Sequence, residues 1–144
     1  MTAIIPNEFI AVQSPVAYTG VATTAVTDFH NPGDTNTVIV VPIADNTQGM
    51  RLTKAYAITR AAPGAVINCQ LYKVVGTTYT LIDSNTLANT TPSATAANVK
   101  AVFDASEDDP LFLHPGEGLA FAIGGSVANG VVCRVSGGSY TPLT

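Results

Sequence analysis

The feature that most constrains the fold is residues 111–140, which read LFLHPGEGLAFAIGGSVANGVVCRVSGGSY. A short apolar run leads into the turn at residues 115–118. Two further runs then alternate between apolar and small or polar residues, with glycine-containing turns between them; their apolar members are Leu119, Phe121 and Ile123, then Val131, Cys133 and Val135. A period of two bounded by glycine and proline is typical of half-buried antiparallel strands. We therefore expect this segment to complete a β-sandwich, with those six side chains pointing inward.

Strand candidates separated by turn residues continue along the rest of the chain. They cover residues 16–29, 37–43, 50–60, 65–75, 78–83, 99–104, 119–123 and 131–136. Gly76 indicates a hairpin, and Gly20 indicates a bulge or bend within the first candidate. At 144 residues, the chain has the length of one domain. The pattern predicts an all-β, single-domain antiparallel β-sandwich of jelly-roll type.

The fourth candidate strand alternates in a way that assigns its two faces. We expect Ile67, Cys69 and Leu71 to point inward, and Asn68, Gln70 and Tyr72 to form a wetter face. The two cysteines, Cys69 and Cys133, are in step with apolar neighbours, which indicates buried thiols that behave as small hydrophobic residues. A disulfide would need adjacent strands and an oxidising compartment, for which the sequence gives no sign.

An extended N-terminal arm is predicted at residues 1–15, ahead of a β-sandwich domain at residues 16–144. Five of its side chains are large and apolar, and we expect them to contact a neighbouring subunit or a larger particle: Ile4, Ile5, Phe9, Ile10 and Val12. An extended arm of this length reaches about 45–50 Å. The first residues lack the basic region of a signal peptide, and the longest apolar run, residues 38–44, is far too short for a membrane span. We therefore expect no membrane contact and synthesis in the cytoplasm.

The charged residues are few, at 11% of the chain with a net charge of −4. So low a charge content indicates that a partner covers part of the surface, although Thr, Ser and Asn could equally keep the domain soluble. The basic residues are spread along the sequence without a cluster or stripe: Arg51, Lys54, Arg60, Lys73, Lys100 and Arg134. Because nucleic-acid binding needs several clustered cations, we expect no nucleic-acid partner.

The one dense charge cluster is residues 104–109, with the sequence DASEDD. Its carboxylates are candidate Ca²⁺ ligands, since that ion prefers about six to eight oxygen ligands: Asp104, Glu107, Asp108 and Asp109. The spacing lacks the pattern of a known calcium loop, so a solvated turn is the preferred interpretation. His30 and His114 lie beside Pro-Gly turns without the spacing of metal ligands. We therefore predict no cofactor, no catalytic residues and no enzyme activity.

The motifs of residues 111–140 resemble the C-terminal end of small capsid decoration (cement) proteins of tailed bacteriophages. The shared elements are strand-Pro-Gly-x-x-strand, a small-residue loop, a strand and Gly-Gly-x-Tyr, here at residues 115–118, 120–128 and 137–140. The resemblance implies a homo-oligomer, a trimer in preference to a dimer, on the outside of the virion. Its partner would be the major capsid protein, whose neighbouring subunits it bridges.

Other virion sandwich domains share such endings. The alternative is therefore a receptor- or carbohydrate-binding sandwich of a phage fibre or baseplate. In that case Tyr56, Tyr72 and Tyr79 could meet on one sheet face and stack against a sugar.

Overall fold

The computed structural model describes residues 13–28 and 35–140. Within these residues the chain forms nine strands and one short 3-10 helix, Ile43–Asp45. The strands are β1 (Gln13–Ala22), β2 (Val38–Val41), β3 (Met50–Thr59), β4 (Ile67–Val75), β5 (Thr78–Leu87), β6 (Lys100–Val102), β7 (Leu111–Leu113), β8 (Glu117–Ile123) and β9 (Val131–Tyr140).

The strands form two antiparallel sheets that pack face to face. Sheet A has the order β1-β9-β3-β6, with the short β7 also paired to β3, and sheet B has the order β2-β8-β4-β5. The chain repeatedly crosses from one sheet to the other. Strands β1 and β9 are neighbours in sheet A. This is the strand order of a jelly roll, and the predicted fold class is confirmed.

The core lies between the two sheets and contains the residues that the alternation assigned to it. None of them is more than 6% exposed: Ile67, Cys69, Leu71, Leu119, Phe121, Ile123, Val131, Cys133 and Val135. At its centre the ring of Phe121 meets Phe103 edge to face, with ring centroids 6.3 Å apart. Because successive side chains of a strand point to opposite faces, the period of two was sufficient to identify these residues.

The outer face of β4 is buried, so the predicted wetter face is wrong. Gln70 is 8% exposed and Tyr72 3%, and the Tyr72 hydroxyl donates a hydrogen bond to Gln70 Oε1. The segment that follows β1 crosses this face, where the Val26 N–H donates to the Ile123 carbonyl at 3.1 Å. Together with Ile43 it covers the middle of sheet B.

Strand β1 differs from its predicted bounds at both ends. It begins at Gln13 and ends at Ala22, so residues 13–15, which the sequence assigned to the arm, pair with residues 138–140 of β9. Pro15 is tolerated there because β1 is an edge strand. The pairing shows no bulge at Gly20. Instead, a Cβ at this position would lie 3.0 Å from Val38 Cγ1, so glycine permits close packing of β2.

The remaining strand predictions hold with shifted ends. The β4–β5 hairpin turns at residues 76–77, where Gly76 has a φ of +59°, as its sequence predicts. Strand β5 continues to Leu87 and β9 to Tyr140, further than their apolar alternation reaches. Polar residues continue both strands because backbone pairing with β4 and with β1 does not require apolar side chains.

Candidate functional site: the two outer faces of the sandwich

The acidic turn, residues 104–109, connects β6 to β7. The Asp104 N–H donates to Asp83 Oδ2 at 2.6 Å, and Glu107 forms an ion pair with Arg51 at 3.4 Å. In the part of the chain that the structure describes, no three His, Cys, Asp or Glu side chains are grouped so that they could hold a metal ion. The four candidate calcium ligands are therefore not brought together.

Several predicted site residues fall outside the described part of the chain. These are the five interface candidates of the arm, Ile4, Ile5, Phe9, Ile10 and Val12, and also His30. Their contacts stay predictions.

Both thiols lie in the core and are free. Burial raises the pKa of Cys69 to about 12. For Cys133, burial and to a smaller extent the neighbouring Cys69 raise the pKa to about 12. Because the thiolate is the reactive form, neither residue is a competent nucleophile near neutral pH.

Asn46 joins two turns at one end of the sandwich, a role that the sequence did not indicate. Its side chain is buried. Nδ2 donates to the carbonyls of His114 and Glu117, at 2.7 and 2.8 Å, and Oδ1 accepts from the Gly49 N–H at 2.9 Å. The turn that precedes β3 is thereby fixed to the turn that precedes β8.

Glu117 is the charged centre of the same end. It accepts hydrogen bonds from the His114 backbone N–H at 2.6 Å and contacts His114 Nδ1 at 2.9 Å, and it pairs with Lys73 at 3.6 Å. Burial alone would raise its pKa, but the hydrogen bonds from His114 and the charge of Lys73 outweigh burial and leave the pKa lowered. Lys73 and His114 are therefore structural partners of this carboxylate.

The outer face of sheet A carries three cations around one aromatic ring, and we name this set (Lys54, Tyr56, Lys100 and Arg134) the cationic face. The ammonium groups of Lys54 and Lys100 lie 5.6 and 4.9 Å from the centroid of the Tyr56 ring. Arg134 is the direct cross-strand partner of Tyr56. Each contact is a favourable cation–π or cross-strand arrangement.

The cationic face corrects the prediction that the basic residues form no cluster. The strands of sheet A contain no Asp or Glu at all. Lys54, Lys100 and Arg134 form no ion pair with any carboxylate of residues 13–28 and 35–140. Alternation shows that Arg134 points outward, but in β3 a register shift between Leu52 and Lys54 interrupts the alternation, so the orientation of Lys54 does not follow from it. The grouping of the cations depends on β3 lying between β9 and β6.

The outer face of sheet B carries an apolar groove instead. It has a volume of about 330 Å³ and is lined mainly by Ile39, Pro42, Ile43, Ala44, Val74 and Tyr79. Ile39 is 44% exposed and Leu81, further along the same face, is 50% exposed. Tyr79 meets Tyr72 edge to face at 6.4 Å, whereas Tyr56 lies on the other sheet. The three tyrosines therefore do not form one stacking platform.

No protein-family model matches the chain, and no curated protein is similar to it in sequence. Among solved structures it is similar to that of Eiger TNF from S. frugiperda, with 13% sequence identity, coverage of 90% of this chain and 97% of that chain, and a TM-score of 0.45. No helix within residues 13–28 and 35–140 is long and apolar enough to cross a membrane.

Proposed function

We propose that this protein is a decoration (cement) protein of a phage capsid, which binds the outer surface of the assembled shell and stabilises it by bridging major capsid subunits. The observation that carries the proposal is the pair of exposed surfaces on opposite sides of one sandwich. The apolar groove lies on sheet B and the cationic face on sheet A. A bridging protein needs at least two contact surfaces, of which one can hold the capsid and the other a neighbouring attached molecule. Two sheets packed about 10 Å apart keep such surfaces on opposite sides of the domain.

The C-terminal motif supports the proposal from the sequence. Its strands are central to the framework, because β8 lies between β2 and β4, and β9 between β1 and β3. A close approach at Gly137 belongs to this framework, since a Cβ there would lie 2.0 Å from the Arg51 carbonyl oxygen. The segment that resembles cement proteins therefore builds the frame that holds both surfaces.

The mechanism is reinforcement by multivalent binding. A protein that contacts several lattice subunits adds its binding free energy to the cost of separating them. Each contact can be weak, because the second contact of an attached molecule benefits from a high effective concentration. We expect the apolar groove to make the capsid contact, so attachment should persist in 1 M salt, where charges are screened beyond about 3 Å.

The test compares particles that contain this protein with particles that lack it, while shell rupture is followed during heating and osmotic shock. Particles without the protein should rupture earlier, and adding the purified protein back should restore their resistance. If particles without it rupture no earlier, reinforcement is wrong. Saturable binding of the free protein on a glycan array would then favour the fibre or baseplate alternative.

A pair of variants tests whether the apolar groove makes the contact. Ile39→Glu places a carboxylate in the groove, and we expect particle affinity to fall about tenfold or more. Val66→Glu is the matched control, because Val66 is 66% exposed and lies outside both surfaces. Equal affinity of the two variants would exclude the groove as the capsid contact.

A further inference from the structure

Among residues 13–28 and 35–140, no carboxylate neutralises the cationic face. Lys54, Lys100 and Arg134 are exposed and surround Tyr56, with two of the three within 6 Å of its ring centroid. Val102, the cross-strand neighbour of Tyr56 in β6, is 62% exposed. Tyrosine and arginine are enriched in protein interfaces whereas lysine is depleted there, so the positive charge of the face, more than its composition, indicates the chemistry of its partner. The face therefore suits a protein surface that carries carboxylates.

The acidic turn has the complementary charge and is also unpaired in large part. Asp104, Asp108 and Asp109 are exposed and form no ion pair with the described residues, whereas Glu107 pairs with Arg51. The turn is fixed by its backbone, since the Ser106 N–H donates to the Asp109 carbonyl at 3.1 Å and the Asp109 N–H donates to Ser106 Oγ at 3.0 Å. It thus presents carboxylates in a fixed arrangement.

We propose that the acidic turn of one copy docks on the cationic face of a second copy. The occupant is a second copy because the two complementary surfaces lie on the same chain and do not pair with each other within it. The turn lies beyond the β6 and β7 edge of sheet A, whereas the cationic face is the flat outer surface of that sheet. An edge of one copy can therefore approach the face of the next.

This contact is heterologous, because it joins two different surfaces. Heterologous contacts form a closed ring when the rotation between copies permits it, and an open chain otherwise. The apolar groove on sheet B stays free in either case. The contact goes beyond the proposed capsid role and does not depend on it, since it concerns this chain alone.

The contact should be weak and sensitive to salt. Exposed ion pairs are individually weak, and at about 0.15 M salt charges act over about 8 Å. We expect a dissociation constant near the millimolar range for one contact, lowered by ring closure. It should weaken about tenfold or more between low salt and 1 M salt, unlike attachment through the groove.

Sedimentation velocity of the full chain over a range of concentrations tests the proposal. One variant reverses the face, Lys54→Glu with Lys100→Glu, and another reverses the turn, Asp108→Lys with Asp109→Lys. Each alone should be monomeric at low salt, since each carries matching charges on its two surfaces. An equimolar mixture of the two variants should associate again. The reversed, negative face of one variant then meets the reversed, positive turn of the other, and the unchanged face meets the unchanged turn.

The matched control is Asp45→Lys, which changes an exposed carboxylate near sheet B and should leave association unchanged. Circular dichroism checks folding, and the two reversed variants probe the contact from opposite sides, so misfolding of one leaves the other informative. The proposal is overturned if the wild-type protein is monomeric at low salt and millimolar concentration. It is equally overturned if association persists in both reversed variants, or if the mixture stays monomeric.

Discussion

Replacing Asn46 with alanine tests whether one buried side chain holds the end of the sandwich together. The substitution removes two hydrogen bonds to the carbonyls of His114 and Glu117 and one from the Gly49 N–H. Each such bond contributes about 0.5–1.5 kcal/mol net, and a buried group left unpaired costs about 1–3 kcal/mol. His114 and Pro115 of the facing turn are exposed, so water can pair some of the freed groups. We therefore expect the free energy of unfolding to fall by about 2–4 kcal/mol.

The assay is equilibrium urea unfolding, followed by circular dichroism and by tyrosine fluorescence, since the chain has no tryptophan. Asn46→Asp is the sharper variant because it has nearly the same shape. It keeps the acceptor for Gly49 but places an oxygen, in place of the donor, against two carbonyl oxygens. At neutral pH we expect this variant to lose at least as much stability as Asn46→Ala.

The control is Asn98→Ala. Asn98 is exposed and its Nδ2 donates one hydrogen bond, to the Thr59 carbonyl at 2.7 Å, so its loss should cost about 1 kcal/mol or less. Equal losses for Asn46→Ala and Asn98→Ala would refute the assigned role. A fully stable Asn46→Asp variant would show that no donor is needed at this position, which would refute the hydrogen-bond assignment itself.

Two further predictions concern the core and the Glu117 cluster. Phe121→Ala should lower the free energy of unfolding by about 3–5 kcal/mol, because the ring is fully buried. Phe112→Ala is the control and should cost much less, because this side chain is 48% exposed. Similar losses in urea unfolding would mean that the strand faces are misassigned. The pKa of Glu117 is lowered in the folded state. The charge of Glu117 therefore stabilises the fold at pH values above the ordinary carboxyl pKa of about 4.3. This stabilisation is lost as the pH falls through the lowered pKa of the folded state. The stability advantage of the wild-type protein over Glu117→Gln should therefore shrink between neutral pH and acid, and a constant difference would show that the charge contributes nothing.

Alternation and turn residues were sufficient to predict the fold class and the inner faces of the sheets. The alternation in β4, β8 and β9 identified nine buried side chains, because a period of two needs no knowledge of which strands are neighbours. The turn residues identified the β4–β5 hairpin, because the preference of glycine for positive φ is a local property that does not depend on strand order. The ends of β1 and β9 differ from their predicted bounds, because the pairing of the two strands continues through Ser, Gly and Pro residues without an apolar pattern.

The surroundings of the outer faces of the two sheets depend on contacts between segments that are distant in sequence. The outer face of β4 is buried by Val26 and Ile43, residues far away in sequence, and the buried polar role of Asn46 depends on two distant turns. The cationic face exists because the jelly-roll order places β3 between β9 and β6, which brings Lys54, Lys100 and Arg134 together. Local patterns report which way a side chain points, whereas the neighbours of that side chain depend on strand order, which non-local pairing sets.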